Sequence, residues 1–264
     1  GDSIVELGRS ADGNLLLMTL TGLYEELPDG TRVKWANAAT TACESSEGMF
    51  AAAGPTLTQC TAPMVCTTTN LNRSVFDLAC AGPWVWRIEG QFGLSGRALA
   101  IDSDDADVSA LFRPEDFFGL PDGTAVVTAA QTGTQRASVF LVHPQGAAEV
   151  LYESDSEAPF TTVAGCSANT WYAARANEII ARVDGVTTVE TLPAFDVIQH
   201  MVVDPTDCSR PWAVGLEAAH QRTANGWRPV QLEESGNSSR AAVVGGELMV
   251  TSTNGRWLIQ LRQP

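Results

Sequence analysis

Short apolar runs recur along the chain, and each one directly follows a tight turn. The residues that open these runs lie 34 to 46 positions apart and are Asn14, Met49, Pro83, Thr124, Thr170, Pro211 and Glu247. The three residues after each opening residue are almost all apolar, whereas a strand with one exposed face would alternate. Continuous runs of this length indicate strands that are covered on both faces. Because sustained helical spacing of apolar residues is absent, the pattern predicts an all-β chain.

A second hairpin follows most of these runs. Its turns include residues 28–30, 144–146 and 184–185, and Asp-Gly turns between apolar segments are typical of hairpins. Four strands per unit, and seven intervals that close on themselves, predict one domain over residues 1–264. The predicted fold is a seven-bladed β-propeller of mostly four-stranded antiparallel blades, with the N-terminal strand beside the last blade. If segment 41–70 is an insertion, the alternative is six blades.

The turn phrases also carry a family resemblance. Residues 12–18, 28–31 and 121–124 contain Asp-Gly-x-Leu and Pro-Asp-Gly-Thr phrases that resemble those of gluconolactonase-like and NHL-type propellers. The rhythm of the whole chain is similar to that of bacterial extracytoplasmic propellers. The Gly-His and Trp-Asp pairs of WD40 repeats are missing. Gluconolactonase-like enzymes imply acidic and Asn metal ligands in the channel, but no matching set can be placed here, so no catalytic residue is carried over.

The net charge and the cysteines indicate which classes of partner and which cellular compartment to expect. The formal net charge is −15, from 31 acidic and 16 basic residues, which disfavours nucleic acid and anionic lipid as partners. Six cysteines without metal-ligand spacing favour disulfides over zinc, and therefore an exported protein. We expect a secreted, periplasmic or cell-surface protein of bacterial origin that does not insert into the membrane.

Ring geometry suggests how the cysteines pair. Cys166 and Cys208 lie four and three residues before the opening residues of adjacent units, where blades approach closely. We therefore predict the bridge Cys166–Cys208. The same argument pairs Cys43 with Cys80, which leaves Cys60 with Cys66 across a short turn.

Two groups of polar residues are candidate sites. Six residues near the ends of the second strands are predicted to emerge on one face as a ligand-binding rim: Arg87, Glu89, Arg175, Glu178, Glu217 and His220. Four carboxylates in one turn could bind Ca²⁺, although they lack the EF-hand pattern: Asp102, Asp104, Asp105 and Asp107. The alternatives are a solvated rim and a solvated turn. Scattered histidines and the lack of a Gly-x-Ser-x-Gly motif give no catalytic residue.

Two functions remain open at this point. The first is a non-enzymatic interaction module that binds protein or carbohydrate, in adhesion or in the assembly of a surface complex. The second is an exported lyase or hydrolase with a metal-assisted site in the central channel. A propeller fold by itself does not decide between them.

Overall fold

The computed structural model describes residues 3–90, 97–101, 112–131, 133–192, 196–231, 238–252 and 258–261. Within these ranges every regular element is a β-strand, and every strand pair is antiparallel. This agrees with the predicted all-β class. No helix long and apolar enough to cross a membrane occurs among the described residues.

Five sheets have four strands each, paired in chain order. The first two are β1 (Ile4–Arg9), β2 (Leu15–Thr19), β3 (Gly22–Glu26) and β4 (Arg32–Ala36), then β5 (Thr41–Ser45), β6 (Gly48–Ala53), β7 (Thr56–Ala62) and β8 (Val65–Asn70).

Two further sheets have three described strands each. One is β9 (Ser74–Ala81), β10 (Trp84–Gly90) and β11 (Arg97–Ile101); the other, β24 (Ser238–Val244), β25 (Glu247–Ser252) and β26 (Leu258–Leu261), comes last in the chain.

The remaining four-stranded sheets lie between these two in the sequence. They are β12 (Phe112–Gly119), β13 (Ala125–Gln131), β14 (Ala137–Val142) and β15 (Ala148–Glu153); β16 (Thr162–Ser167), β17 (Thr170–Arg175), β18 (Glu178–Val183) and β19 (Val186–Thr191); and β20 (Ile198–Asp204), β21 (Asp207–Gly215), β22 (Ala218–Thr223) and β23 (Gly226–Gln231).

The number of complete blades differs from the sequence prediction. The structure has five four-stranded blades, which corrects the predicted seven and the alternative of six. An apolar run after a turn marks the second strand of a sheet but carries no information about the strands outside it. The two three-stranded sheets have such a run without a described fourth strand. Segment 41–70, the supposed insertion, forms the complete sheet β5–β8.

The first strands of the sheets surround a central channel. Each contacts the first strands before and after it, in the order β1, β5, β9, β12, β16, β20, β24 and back to β1. Arg240 on β24 donates from Nε to the carbonyl oxygen of Val5 at 2.7 Å. The N-terminal strand therefore lies beside the last sheet, as predicted. It is hydrogen-bonded to β2 in its own sheet, so β1 is not a strand of the last sheet.

The second strands are buried on both faces, as the apolar runs predict. All five residues of β2 are buried, and Trp171 and Tyr172 on β17 are both 0% exposed. Trp171 packs toward β13, while Tyr172 packs toward β20 and donates its hydroxyl to the carbonyl of Cys208 at 2.9 Å. Neighbouring sheets are thus held together by apolar side chains with an occasional polar bond.

The three predicted disulfides are confirmed. Cys43–Cys80 joins β5 to β9, and Cys166–Cys208 joins β16 to β21, so both link neighbouring sheets near the channel. Cys60–Cys66 links β7 to β8 within one sheet. Three disulfides indicate an oxidising compartment, since such bonds are rare in reducing ones.

Candidate functional site

One end of the channel collects most of the predicted rim residues. We call this end the channel-mouth face. There each sheet's first strand begins, its second strand ends, and the turn from the second to the third strand is located. Glu89 lies near the end of β10 and Arg87 in the middle of it, and Arg175 and Glu178 flank the turn between β17 and β18. Glu217 and His220 lie in or just after the next equivalent turn, between β21 and β22. The structure therefore places Glu89, Arg175, Glu178 and Glu217 at this face, whereas Arg87 and His220 lie within their strands and are buried.

Four of these residues form two ion pairs, Arg87 with Glu89 and Arg175 with Glu178. Arg87 Nε donates to Glu89 Oε1 at 2.5 Å, and both residues are buried. Arg175 donates to Glu178 Oε1 from Nε at 2.9 Å, and its guanidinium lies 5.0 Å from the centre of the Phe160 ring. These pairs fix strand ends and a turn. A ligand-binding role for them remains a prediction.

His220 is paired with a carboxylate that the sequence analysis missed. Asp196, in the link before β20, accepts hydrogen bonds from the backbone nitrogens of Leu216, Glu217 and Ala218 at 2.9, 3.2 and 3.1 Å. Its Oδ2 lies 3.4 Å from Nε2 of His220. Burial lowers the pKa of His220, and Asp196 opposes this effect. Asp196 therefore caps the turn between β21 and β22, while the Glu217 side chain is exposed.

A ring of polar residues on the first strands forms a second feature of this face. Register irregularities precede one polar residue in several first strands, as at Ile4/Glu6, Pro114/Asp116, Ile198/His200 and Ser238/Arg240. Bulges of this kind re-aim side chains. We call the residues at the equivalent positions of all first strands the channel girdle: Glu6, Thr41, Asp77, Asp116, Thr162, His200 and Arg240.

Hydrogen bonds of the channel girdle connect successive sheets. Thr41 Oγ1 donates to Asp77 Oδ1 at 2.9 Å, which joins β5 to β9. The backbone nitrogen of Val163 donates to Asp116 Oδ2 at 2.7 Å, and that of Met201 donates to Thr162 Oγ1 at 2.9 Å. These bonds tie β16 to β12 and β20 to β16. The girdle therefore stabilises the inner wall of the channel.

The carboxyl groups of the girdle have shifted pKa values. Burial, followed by the charge of Asp77, raises the pKa of Asp116 to about 7. Burial also raises the pKa of Asp77 to about 6. For Glu6 burial raises the pKa to about 8 against the opposing charge of Arg240, whose Nε lies 2.7 Å from Glu6 Oε2. Desolvation favours the neutral acid, so these groups hold protons at higher pH than exposed carboxyls.

The described residues contain no group of three or more His, Cys, Asp or Glu side chains placed to hold a metal ion. The Ca²⁺ candidates Asp102, Asp104, Asp105 and Asp107 lie outside the described residues.

The channel-mouth face also exposes large apolar side chains. Leu20, in the turn after β2, is 69% exposed, and Phe76, just before Asp77, is 54% exposed. Glu115 occupies the position on β12 that matches Phe76, and it is exposed together with Glu217. Apolar residues within a polar surround are typical of protein contact surfaces.

Comparison with known proteins identifies the fold class. No protein-family model and no curated protein matches the chain. Solved propeller structures do match. The WD40 β-propeller domain of Doa1 is 9% identical, with a TM-score of 0.68 over 98% of this chain and 92% of that one. A chain of the mitotic checkpoint complex is 10% identical, with a TM-score of 0.72 over 97% and 89%.

A third solved structure resembles the chain less closely. The extracellular domain of a putative hybrid two-component system from B. thetaiotaomicron is 8% identical, with a TM-score of 0.59 over 94% of this chain and 37% of that one. Identities this low establish a β-propeller fold and nothing finer. The resemblance to gluconolactonase-like and NHL-type propellers therefore remains a prediction.

Proposed function

We propose that the protein is an extracytoplasmic interaction module whose channel-mouth face binds a partner protein. Exposure of Leu20 and Phe76 on that face is the observation that carries the proposal. Large apolar residues at a rigid mouth supply contact area, and the exposed Glu115 and Glu217 supply a polar rim. Disulfides between sheets support an oxidising compartment, and similarity to a chain of the mitotic checkpoint complex supports protein partners.

The proposal is tested by comparing two faces of the same protein. Purified protein immobilised on beads captures envelope proteins from the organism that produces it, and mass spectrometry quantifies them. We expect at least one protein to be lost from a Leu20→Ala/Phe76→Ala variant and retained by a Val186→Ala/Val189→Ala variant. The latter pair lies on the outer strand β19, where Val186 is 67% and Val189 is 59% exposed. Equal capture by both variants would contradict the proposal.

The channel carboxyls keep the enzymatic alternative open. Asp77 and Asp116 have raised pKa values, as a general acid requires, and an exported lyase or hydrolase could use them with a bound cation. Their hydrogen bonds to Thr41 and the backbone favour a structural role. Titration calorimetry with Ca²⁺, Mn²⁺ and Zn²⁺ tests the alternative, because a metal-assisted site requires binding that is lost in Asp77→Asn.

A further inference from the structure

The second sheet contains a long segment without charge. No Asp, Glu, Lys or Arg occurs between Glu47 and Arg73, although charged residues make up 18% of the chain. This segment includes β6, β7 and β8, and β8 is the outer strand of its sheet. An outer strand presents unpaired backbone groups, and proteins normally protect it with charge or proline.

Other outer strands have this protection. Among outer strands whose side chains the structure describes, charged residues or proline occur on β4, β15, β19 and β23: Arg32, Lys34, Glu149, Glu153, Glu190, Arg228 and Pro229. β8 has none of them. It begins at Val65, which is 61% exposed, next to Met64, which is 49% exposed. The edge of β8 is therefore open and unprotected.

The register shows which backbone groups of β8 face outward. Cys60 and Cys66 are directly opposite each other on β7 and β8, and their Cα atoms are 4.0 Å apart. So short a separation marks a pair that does not exchange backbone hydrogen bonds, because hydrogen-bonded pairs are about 5.5 Å apart. By alternation along the strand, the N–H and C=O groups of Cys66, Thr68 and Asn70 point away from β7.

A groove lies beside this edge. Its volume is about 410 Å³, and no charged side chain lines it. Asn37, Thr56, Thr58 and Thr68 contribute amide and hydroxyl groups, and Met64 also lines the groove. The backbone nitrogen of Met64 donates to the carbonyl of Trp35 at 3.0 Å, so the hairpin is fixed against the first sheet. Together with the Cys60–Cys66 disulfide, this bond pre-organises the edge.

We propose that β8 accepts an extended segment of a partner protein as an added fifth strand, with alternate side chains of that segment in the groove. Outward donors and acceptors at every second residue match the spacing of an extended backbone. The net charge of −15 disfavours acidic segments and a second copy of this chain. The uncharged lining of the groove disfavours charged side chains. The groove reaches the channel-mouth face at Asn37, Ala53 and Thr56, but neither Leu20 nor Phe76 lines it.

A displayed library of random ten-residue peptides, selected on the intact protein, tests the proposal. Thr68→Pro removes an outward N–H without breaking the ladder to β7. Thr68→Val is the matched control, because it removes the hydroxyl and keeps the N–H. For selected peptides poor in Asp and Glu, we expect Thr68→Pro to weaken binding at least tenfold and Thr68→Val to weaken it less than threefold. Urea unfolding midpoints verify that both variants fold.

Three outcomes would overturn the proposal. They are a selection that enriches no peptide, selected peptides that bind Thr68→Pro as tightly as wild type, and dimerisation through this edge that Thr68→Pro abolishes. A Leu20→Ala/Phe76→Ala variant separates the two surfaces. It should bind the selected peptides normally, so failure at β8 leaves the channel-mouth proposal unaffected.

Discussion

The two aspartates of the channel girdle should make the protein less stable as the pH rises. Burial raises the pKa of Asp77 from 3.8 to about 6, and burial together with the charge of Asp77 raises that of Asp116 from 3.8 to about 7. Each carboxyl therefore binds its proton more tightly in the folded protein than in the unfolded chain. Folding takes up protons in this range, so the free energy of unfolding falls until the pH passes the folded-state pKa values.

The size of the effect follows from these pKa values. At Asp77 the folded protein keeps its extra proton from pH 5 to the pKa of about 6, which is roughly one pH unit. At Asp116 it keeps the proton from pH 5 to the pKa of about 7, which is roughly two pH units. Each pH unit lowers the free energy of unfolding by about 1.4 kcal/mol. Titration of the two aspartates should therefore lower the free energy of unfolding by at most about 4 kcal/mol between pH 5 and pH 8. His220 acts with the opposite sign below about pH 6.5, because burial lowers its pKa.

Urea unfolding at pH 5, 6, 7 and 8 measures the effect. An Asp77→Asn/Asp116→Asn variant loses girdle hydrogen bonds and should be less stable at pH 5. Its stability should fall less steeply with pH than that of wild type, because the remaining fall comes mainly from Glu6, whose pKa burial raises to about 8. The wild-type protein should lose several kcal/mol more than this variant over the same interval. Asp122→Asn is the control, because hydrogen bonds from Thr124 lower the pKa of Asp122 and keep its titration below this range. Parallel pH profiles for wild type and the double variant would show that Asp77 and Asp116 do not have raised pKa values in the folded protein.

Three further predictions concern stability measured by urea unfolding. Cys166→Ser/Cys208→Ser removes a bridge between residues 42 apart and should cost about 4 kcal/mol. Cys60→Ser/Cys66→Ser removes a bridge between residues 6 apart and should cost about 2 kcal/mol. The reverse order would contradict an entropic origin of the stabilisation. Trp86→Phe should cost about 1 kcal/mol of stability, because it removes the hydrogen bond from the indole to the Gly123 carbonyl. In the described part of the chain the Trp171 indole nitrogen has no hydrogen-bond partner, so Trp171→Phe should cost less. Gly215→Ala should cost about 2 kcal/mol, because the added Cβ would meet the Asp196 carboxylate. Gly8→Ala is the control and should cost less, because its Cβ would meet only the flexible end of Met18. Equal losses would argue against the Asp196 cap.

The sequence predicts the inner parts of the sheets better than their outer parts. Strands covered on both faces leave continuous apolar runs, and β2, β17 and β25 follow from them directly. Cysteine positions relative to these runs are enough to predict all three disulfides. An outer strand such as β8 is polar on most positions, so nothing in its composition separates it from a loop.

The candidate site is harder to predict for a different reason. Glu6 and Asp77 look like exposed residues of ordinary strands, and their burial depends on neighbouring sheets that are distant in the sequence. Arg87 and Glu89 are two residues apart on one strand and share a face, a spacing that permits an ion pair, but the sequence analysis predicted a ligand-binding role for them instead. The segment around β8 has no charged residue, but its many Thr residues leave it without a regular strand pattern.

Site-specific photo-crosslinking in the producing organism shows whether the channel-mouth face binds a partner protein. A photoreactive residue replaces Phe76 on the channel-mouth face or, in a second variant, Val186 on β19. We expect one defined, protease-sensitive crosslinked product at position 76, identified by mass spectrometry as an extracytoplasmic protein, and no matching product at position 186. The same products at both positions, or none at position 76, would contradict the proposal that this face binds a partner protein.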